Sequence, residues 1–521
     1  MSYSRKTFLT ASAAATSWLA FGKDIDHSSN KKPNILFILA DDLGWMDTGA
    51  YGSQFYETPV IDQLAKEGML FTNAYTASPL CSPTRASILT GQYPARLRIT
   101  TPACHLPPRD KFIEIGKKSA NWQRVVTPQA KRYLPLETQT IAETLRDNGY
   151  ATSFFGKWHL GHKKWWADQH GFDYMVGGTQ HPGPPSFWSP YSIPTIPDKK
   201  KGEYLSDRIH NDAITYLKNR EDKNKPFFMC MWEFAVHAPF GGRKALMEKY
   251  KNKKDPRGKQ ASPTMGSMIE AMDTGIGRLL KTIKEVGEDD NTIIIFYSDN
   301  GGNMYNLVDN DIPPTNNAPL RSGKGNNYEG GVRVPCIIKW PGVIEAGSKS
   351  NELISSVDFY STLMTMAGLK MNPEKTDDGK DITPILKGDS FKEERAIFSD
   401  FPHYTPATGN LPNVWVRKGE FKLMRFYGRG PGIKDEYELY NLEKDIGERN
   451  NLAAKLPEVV KKLSILIDEH LENIDAVMPI PNPAYIDGKN IPKPNPKHAP
   501  DRFLRNAGSK KKKRPSKKNN K

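Results

Sequence analysis

Four short apolar runs stand out along the chain: Asn34–Ala40, 151–155, 226–234 and 292–297. Each is too short for a helix and shows no polar alternation, which suits a strand covered on both faces. Between them apolar positions recur at helical spacing. Residues 58–67 carry Val60, Ile61, Leu64 and Ala65, residues 139–148 end on Gly149, and 267–286 form a third such stretch. Glycine just past the last turn is a good helix stop. Strands alternating with helices predict an α/β domain with a mostly parallel sheet. After about residue 390 the texture changes. Asn413–Lys418, Phe421–Phe426 and 436–440 predict short strands joined by turns such as Lys418-Gly419-Glu420, and 456–474 predicts a helix. From Met478 prolines recur and periodicity fades, so an extended or disordered end is expected. The division expected is 1–30 for an export signal and linker, 31–390 for the α/β domain, 391–485 for a smaller α+β domain and 486–521 for a tail.

At 521 residues, with 37% hydrophobic and 10% aromatic positions, the chain suits two folded domains of unequal size. No apolar stretch reaches the roughly 20 residues of a membrane span. The net charge is +15, and part of it sits in Lys510, Lys511, Lys512, Lys513, Arg514, Lys517, Lys518 and Lys521. That run reads as a solvated tail or as a tether to a polyanion. No recognition motif accompanies it, so nucleic acid is not an expected partner. At the other end Arg5 and Lys6 precede Phe8, Leu9, Ala11, Ala13, Ala14, Ala15, Trp18 and Phe21. A charged segment before a short apolar one is an export signal, of the Sec or twin-arginine-like kind. It implies an exported protein: periplasmic, cell-surface or secreted. Cys81, Cys104, Cys230 and Cys336 lack metal-type spacing, and Cys230 and Cys336 sit in apolar surroundings.

The apolar runs end on chemistry. Asp41-Asp42 follows the first, Gly156-Lys157-Trp158-His159 the second, His237 comes shortly after the third, and Ser298-Asp299-Asn300-Gly301-Gly302 closes the fourth. In an open parallel sheet ligands bind beyond the carboxyl ends of the strands. Asp41, Asp42, Asp299 and Asn300 offer hard oxygen ligands, which favours calcium or magnesium over zinc. Lys157 and His159 are two apart and would face one side of an extended segment. A metal beside cations makes a site for an anion. Cys81-Ser82-Pro83-Thr84-Arg85, with Gly91 beyond, frames a short helix. Cys81 then lies at its N-terminus, where negative charge is stabilised, and Arg85 one turn on can lean back toward it.

Cys81-Ser82-Pro83-Thr84-Arg85 with Leu89-Thr90-Gly91 resembles the signature of type I sulfatases, and Gly156-Lys157-Trp158-His159-Leu160-Gly161 resembles their second signature. The residues from Asn34 to Gly44, Ser298-Asp299-Asn300-Gly301, Gly323-Lys324-Gly325 and Tyr328-Glu329-Gly330-Gly331 are similar to further landmarks of that family, and the similarity runs from about residue 33 to about 455. The resemblance implies an alkaline-phosphatase-like α/β fold with a smaller C-terminal domain on an antiparallel sheet. It implies Asp41, Asp42, Asp299 and Asn300 as ligands of calcium, with magnesium as the other candidate. It implies formylglycine made from Cys81 by a maturase, with Arg85, Lys157, His159, His237 and Lys324 completing the site. One further polar group after Lys157-Trp158-His159 stays open among Thr179, Gln180 and His181. The implied course is attack of one hydroxyl of the hydrated aldehyde on sulfur, protonation of the leaving alcohol by His237 or Lys324, and proton loss to His159. The alternatives are a phosphomonoester or phosphonate hydrolase of the same fold, and a catalytically inactive binder of sulfated glycans. The loops carry Trp122, Phe187, Trp188 and Tyr191 with Arg109, Lys111, Arg124, Lys131 and Arg132. Aromatic faces suit sugars and basic groups suit neighbouring sulfates, so a sulfated carbohydrate is the expected substrate, and the aromatics serve equally to pin the loops.

Overall fold

Each of the four apolar runs forms a strand, and the four strands are neighbours. The structure, a computed structural model, describes residues 31–309, 312–372 and 374–488; the export signal and the basic run after Gly488 lie outside the described residues. The main sheet is built from β1 (Asn34–Ala40), β2 (Met69–Phe71), β3 (Ala151–Gly156), β4 (Tyr174–Gly177), β5 (Phe227–Trp232), β6 (Thr292–Ser298), β7 (Cys336–Lys339) and β8 (Ser348–Ser350). Its order is β8-β2-β7-β6-β1-β5-β3-β4. From β6 through β4 the strands are parallel, whereas β7 runs antiparallel to both β6 and β2. The carboxyl ends of β6, β1, β5 and β3 therefore sit side by side.

Both faces of this sheet are covered, which is why β1 needs no polar position. Ile35, Phe37 and Leu39 enter one core with α2 (Cys81–Thr90), α3 (Ile141–Asp147) and α6 (Phe359–Met366). Leu36, Ile38 and Ala40 enter the other with α1 (Pro59–Glu67), α4 (Leu205–Asn219) and α5 (Pro263–Glu285). Burying a large apolar side chain in this way stabilises by about 1.5–3 kcal/mol. Helix ends follow local chemistry. Thr140 and Glu143 form a capping box on α3. Gly91 closes α2 at φ 69, a left-handed turn that favours glycine. The periodicity predicts the third helix from Ser267; it starts instead at Pro263, because Ser262 caps it by accepting from Met265 N at 3.1 Å.

The second sheet is antiparallel: β9 (Ala396–Phe401), β10 (Asn413–Lys418), β11 (Phe421–Phe426) and β12 (Glu436–Asn441), in that order. Val414, Val416, Leu423 and Leu439 pack against Leu463, Ile467 and Leu471 of α7 (Pro457–Asn473). Trp415 and Met424 on the other face meet Tyr75 and Val332. The chain after Met478 remains packed for some residues: Ile480 and Pro481 pair with Val126 and Val125.

A buried ion network ties the second sheet to the loop that follows Lys324. Lys422 on β11 is fully buried, and its Nζ lies 2.9 Å from both Glu329 Oε1 and Glu448 Oε1. It also donates to Asn327 O. Glu329 accepts from Tyr75, which Arg417 of β10 contacts in turn. Removing one partner of such a network leaves an uncompensated buried charge, at a cost of about 3–5 kcal/mol. Lys422→Met is therefore expected to lower unfolding stability by about that amount in a denaturant titration, and Glu329→Gln in the same chain should recover part of the loss.

Candidate active site

The carboxyl ends of the four neighbouring strands put acids and bases into one buried cluster. Asp41 and Asp42 follow β1, Lys157 and His159 follow β3, His237 follows β5, and Asp299 and Asn300 follow β6. Two glycines permit this closeness. A Cβ on Gly156, at φ 108, would collide with Trp232 O, and one on Gly301 would collide with Gly330 O. Asp42 and His159 are themselves left-handed, at φ 64 and φ 59. Such backbone is costly outside glycine and marks functional positions. Lys157 and His159 do reach one site, but not along the extended segment that their spacing predicts: the left-handed turn at His159 redirects its ring.

Three carboxylates meet three cations in direct contact. Lys157 Nζ is 2.7 Å from Asp41 Oδ2, and Lys324 Nζ is 2.7 Å from Asp42 Oδ2. Arg85, one turn into α2, donates from Nε to Asp299 Oδ2 at 2.9 Å and from a terminal nitrogen to Lys157 O at 2.5 Å. Asp299 Oδ1 accepts from Asp42 N at 3.2 Å. Burial pushes the Asp41 carboxyl well above the usual range, against the pull of Lys157. At Asp42 burial acts the same way, but Lys324 foremost overcomes it and holds the carboxyl below that range. Lys324 is raised by Asp42 in spite of its burial.

The donor set suits a hard cation. Asp41 Oδ1 and Asn300 Oδ1 are buried without a hydrogen-bond partner, and buried oxygens without partners call for one. Asn300 Nδ2 donates to Asp42 Oδ1 at 2.8 Å, so its amide lies against the acid pair. Ligand atoms of Asp41, Asp42 and His237 lie within 4.8 Å of one another. His237 thus stands closer to the acid pair than its sequence position suggests. Its Nδ1 donates to Ala238 O at 2.6 Å, which turns Nε2 toward Asp42 Oδ2 at 3.7 Å.

Above this cluster opens a cleft of about 350 Å³, lined by Cys81, His159, His237 and Lys324 among others. Cys81 is the first residue of α2, as its spacing from Gly91 predicts. Its thiol is nonetheless pushed up, by burial, although Lys157 and Lys324 pull the other way. Sγ lies 3.3 Å from His159 Nδ1. Burial, and then Lys157, hold His159 well below the ordinary histidine range, so its ring is neutral. Of the expected residues, Arg85, Lys157 and the four oxygen donors form the layer beneath the cleft. The other three cysteines are free and buried.

The sequence pattern misses several lining groups. His105 Nδ1 sits 3.1 Å from His159 Nε2. Phe401, His403, Tyr404 and Thr405 reach the cleft from the end of β9. Among the open candidates, Gln180 holds Trp166 Nε1, while Thr179 Oγ1 and His181 Nδ1 are 2.8 Å apart. The loop aromatics serve as pins. Trp122 packs edge-on to Tyr404 and Trp188 to Tyr204, and Phe187 and Tyr191 are buried.

A mostly parallel sheet with a charge-lined cleft at its carboxyl edge suits an alkaline-phosphatase-like hydrolase. The chain belongs to the sulfatase family: residues 33–369 match the family model described as Sulfatase. Residues 323–475 match the model described as N-sulphoglucosamine sulphohydrolase, C-terminal. A sulfatase of Formosa agariphila is 33% identical over 82% of this chain and 86% of its own. The N-acetylgalactosamine-6-sulfatase of Homo sapiens is 32% identical over 86% of this chain and 87% of its own. The crystal structure of Ps i-CgsB in complex with k-i-k-neocarrahexaose superposes with a TM-score of 0.68 at 27% identity, covering 84% of this chain and 93% of that one. The protein is accordingly a sulfuric ester hydrolase.

If the orphaned oxygens hold a cation, calcium should raise the melting temperature of chelator-treated protein. Asp299→Asn removes one of the three carboxylates at nearly constant shape. It should lose most of that calcium-dependent rise, measured by differential scanning fluorimetry.

Proposed function

We propose that this cleft hydrolyses the sulfate esters of a sulfated carbohydrate, with a nucleophile made from Cys81 and a calcium ion, or magnesium in its place, held by Asp41, Asp42, Asp299 and Asn300. The observation that carries the reading is the position of Cys81: its sulfur touches His159 and faces the cleft directly above the buried charge cluster. Three carboxylates there face three cations. A divalent ion added to a balanced set leaves a positive surplus, which attracts an anionic ester and exerts no such pull on a neutral one. When bound, the ion would polarise a sulfate oxygen and offset the charge that builds up during attack.

The state of the thiol favours conversion over direct use. A catalytic cysteine needs its thiolate, and burial here disfavours it. Formylglycine, made by a maturase, would supply as its hydrate one hydroxyl to attack sulfur and a second whose deprotonation expels sulfate. The chain's own groups then divide the work. Arg85, Lys157 and Lys324 bind and orient the sulfate oxygens. His159, neutral and 3.3 Å from position 81, accepts a proton there. His105 orients His159 from its far nitrogen. His237 or Lys324, both lining the cleft, delivers a proton to the leaving alcohol.

The carbohydrate part of the reading is supported by a relative named N-acetylgalactosamine-6-sulfatase and by a similar structure in complex with k-i-k-neocarrahexaose. We take residues 31–390 as the catalytic domain and 391–485 as a subdomain that closes one side of the cleft through Phe401, His403, Tyr404 and Thr405. Export rests on the charged and apolar pattern of residues 1–30. Among the described residues no helix is long and apolar enough to cross a membrane.

Coexpression with a maturase should convert Cys81 to the aldehyde, read by peptide mass spectrometry as loss of the thiol mass. Cys81→Ser supplies one hydroxyl in place of two and should lower turnover of an aryl sulfate by at least about a thousandfold, the scale of losing a nucleophile. Full activity in a preparation that carries only the unmodified thiol would contradict the assignment.

A further inference from the structure

Near His105, which lines the cleft, two segments are laced together by arginines. The first runs from His105 to Arg109. The second is 130–132. Arg109 donates from a terminal nitrogen to Ala130 O at 2.7 Å, and Arg132 donates from a terminal nitrogen to Pro107 O at 2.8 Å. Each guanidinium is thus anchored on the other's segment through one terminal nitrogen. Arg132 Nε is buried and has no hydrogen-bond partner.

What surrounds these two arginines differs from the rest of the same region. Arg96 is paired with Asp378, and Arg98 with Glu114 and Asp475. Among the described residues no carboxylate pairs with Arg109 or Arg132. The charge near Arg109 is instead repulsive: partial burial, and then Arg132, hold it below the ordinary arginine range. Arg132 lies close enough to the cleft-lining His105 to act on its ring, and His162 Nε2 donates to His105 O at 3.0 Å. Holding two half-buried like charges side by side is unfavourable unless an anion offsets it. Arginine forks suit the planar, bidentate recognition of oxyanions.

We propose that Arg109 and Arg132 form a second anion subsite, which takes a sulfate or carboxylate on the sugar next to the one that carries the reacting ester. Arg132 acts on the ring of His105, which lines the cleft, so a substrate that extends past His105 comes within reach of the pair. The inference rests on the sulfatase reading of that cleft and deepens it: the preferred substrate is an oligosaccharide with a second negative group on the neighbouring residue.

The test is competitive inhibition of para-nitrophenyl sulfate turnover by the full-length, maturase-treated protein. Three galactosamine-type disaccharides serve as inhibitors, all sulfated on the terminal sugar. One carries a further sulfate on the neighbouring sugar, one a neighbouring uronate, and one a neutral neighbour. One or both doubly anionic inhibitors should bind about tenfold more tightly than the neutral-neighbour one, the scale of a charged hydrogen-bonded contact. Whichever gains identifies the group bound. Arg109→Gln with Arg132→Gln should abolish the difference, and each single variant should lose part of it, so the test stands even where the double variant fails to fold. Equal inhibition by all three in the wild-type protein, or a difference that survives in a folded variant, overturns the subsite. Absence of any turnover of the aryl sulfate would overturn the functional reading instead, so the two failures are distinguishable.

Discussion

The structure turns on the burial of opposite charges where four parallel strands end. Asp41, Asp42, Asp299, Arg85 and Lys157 are wholly or almost wholly withdrawn from water, and Lys324 nearly so. Each charge would be untenable there alone, because desolvation of a single ion costs several kcal/mol. They persist as a set because each cation is tied to a carboxylate and Arg85 also to a main-chain oxygen. The sheet provides the rigidity that such a set needs. Its central strands are fully buried on both faces, so the residues at their ends have little freedom to relax outward.

Much of the surrounding architecture serves that constraint. Gly156 and Gly301 let main chains approach where a side chain would collide. The segment that brings Lys324 over Asp42 is held at its far end by Glu329, which is fixed by Lys422 of the second sheet. The second sheet therefore has two links to the site: one through that ion network, and one through the residues after β9 that wall the cleft. Catalytic electrostatics work best when the charges are already in place before the substrate arrives. With the proposed divalent ion bound, this balanced cluster would become positive and would have that character, favouring an anionic ester.

The sequence reveals the floor of the site far better than its walls. Continuous apolar runs that stop abruptly at Asp41, Lys157 and Asp299 carry both the strand and the ligand signal, since local pattern and tertiary role coincide there. Cys81 is legible because proline and glycine frame its helix. His105 and the stretch from Phe401 to Thr405 have no such marker. They reach the cleft from a loop and from the end of β9, and their approach is set by tertiary packing. The extended geometry expected around Lys157 and His159 fails because the φ of 59 at His159 is a local departure that spacing cannot disclose.

The central claim is that this charge cluster and position 81 together make a site for sulfate esters. The most direct measurement is kcat/KM for para-nitrophenyl sulfate and para-nitrophenyl phosphate, taken on the same maturase-treated, calcium-loaded preparation. The account predicts that the sulfate ester is preferred and that chelation removes its turnover. Preference for the phosphate ester, or tight binding of a sulfated glycan with turnover of neither ester, would contradict it.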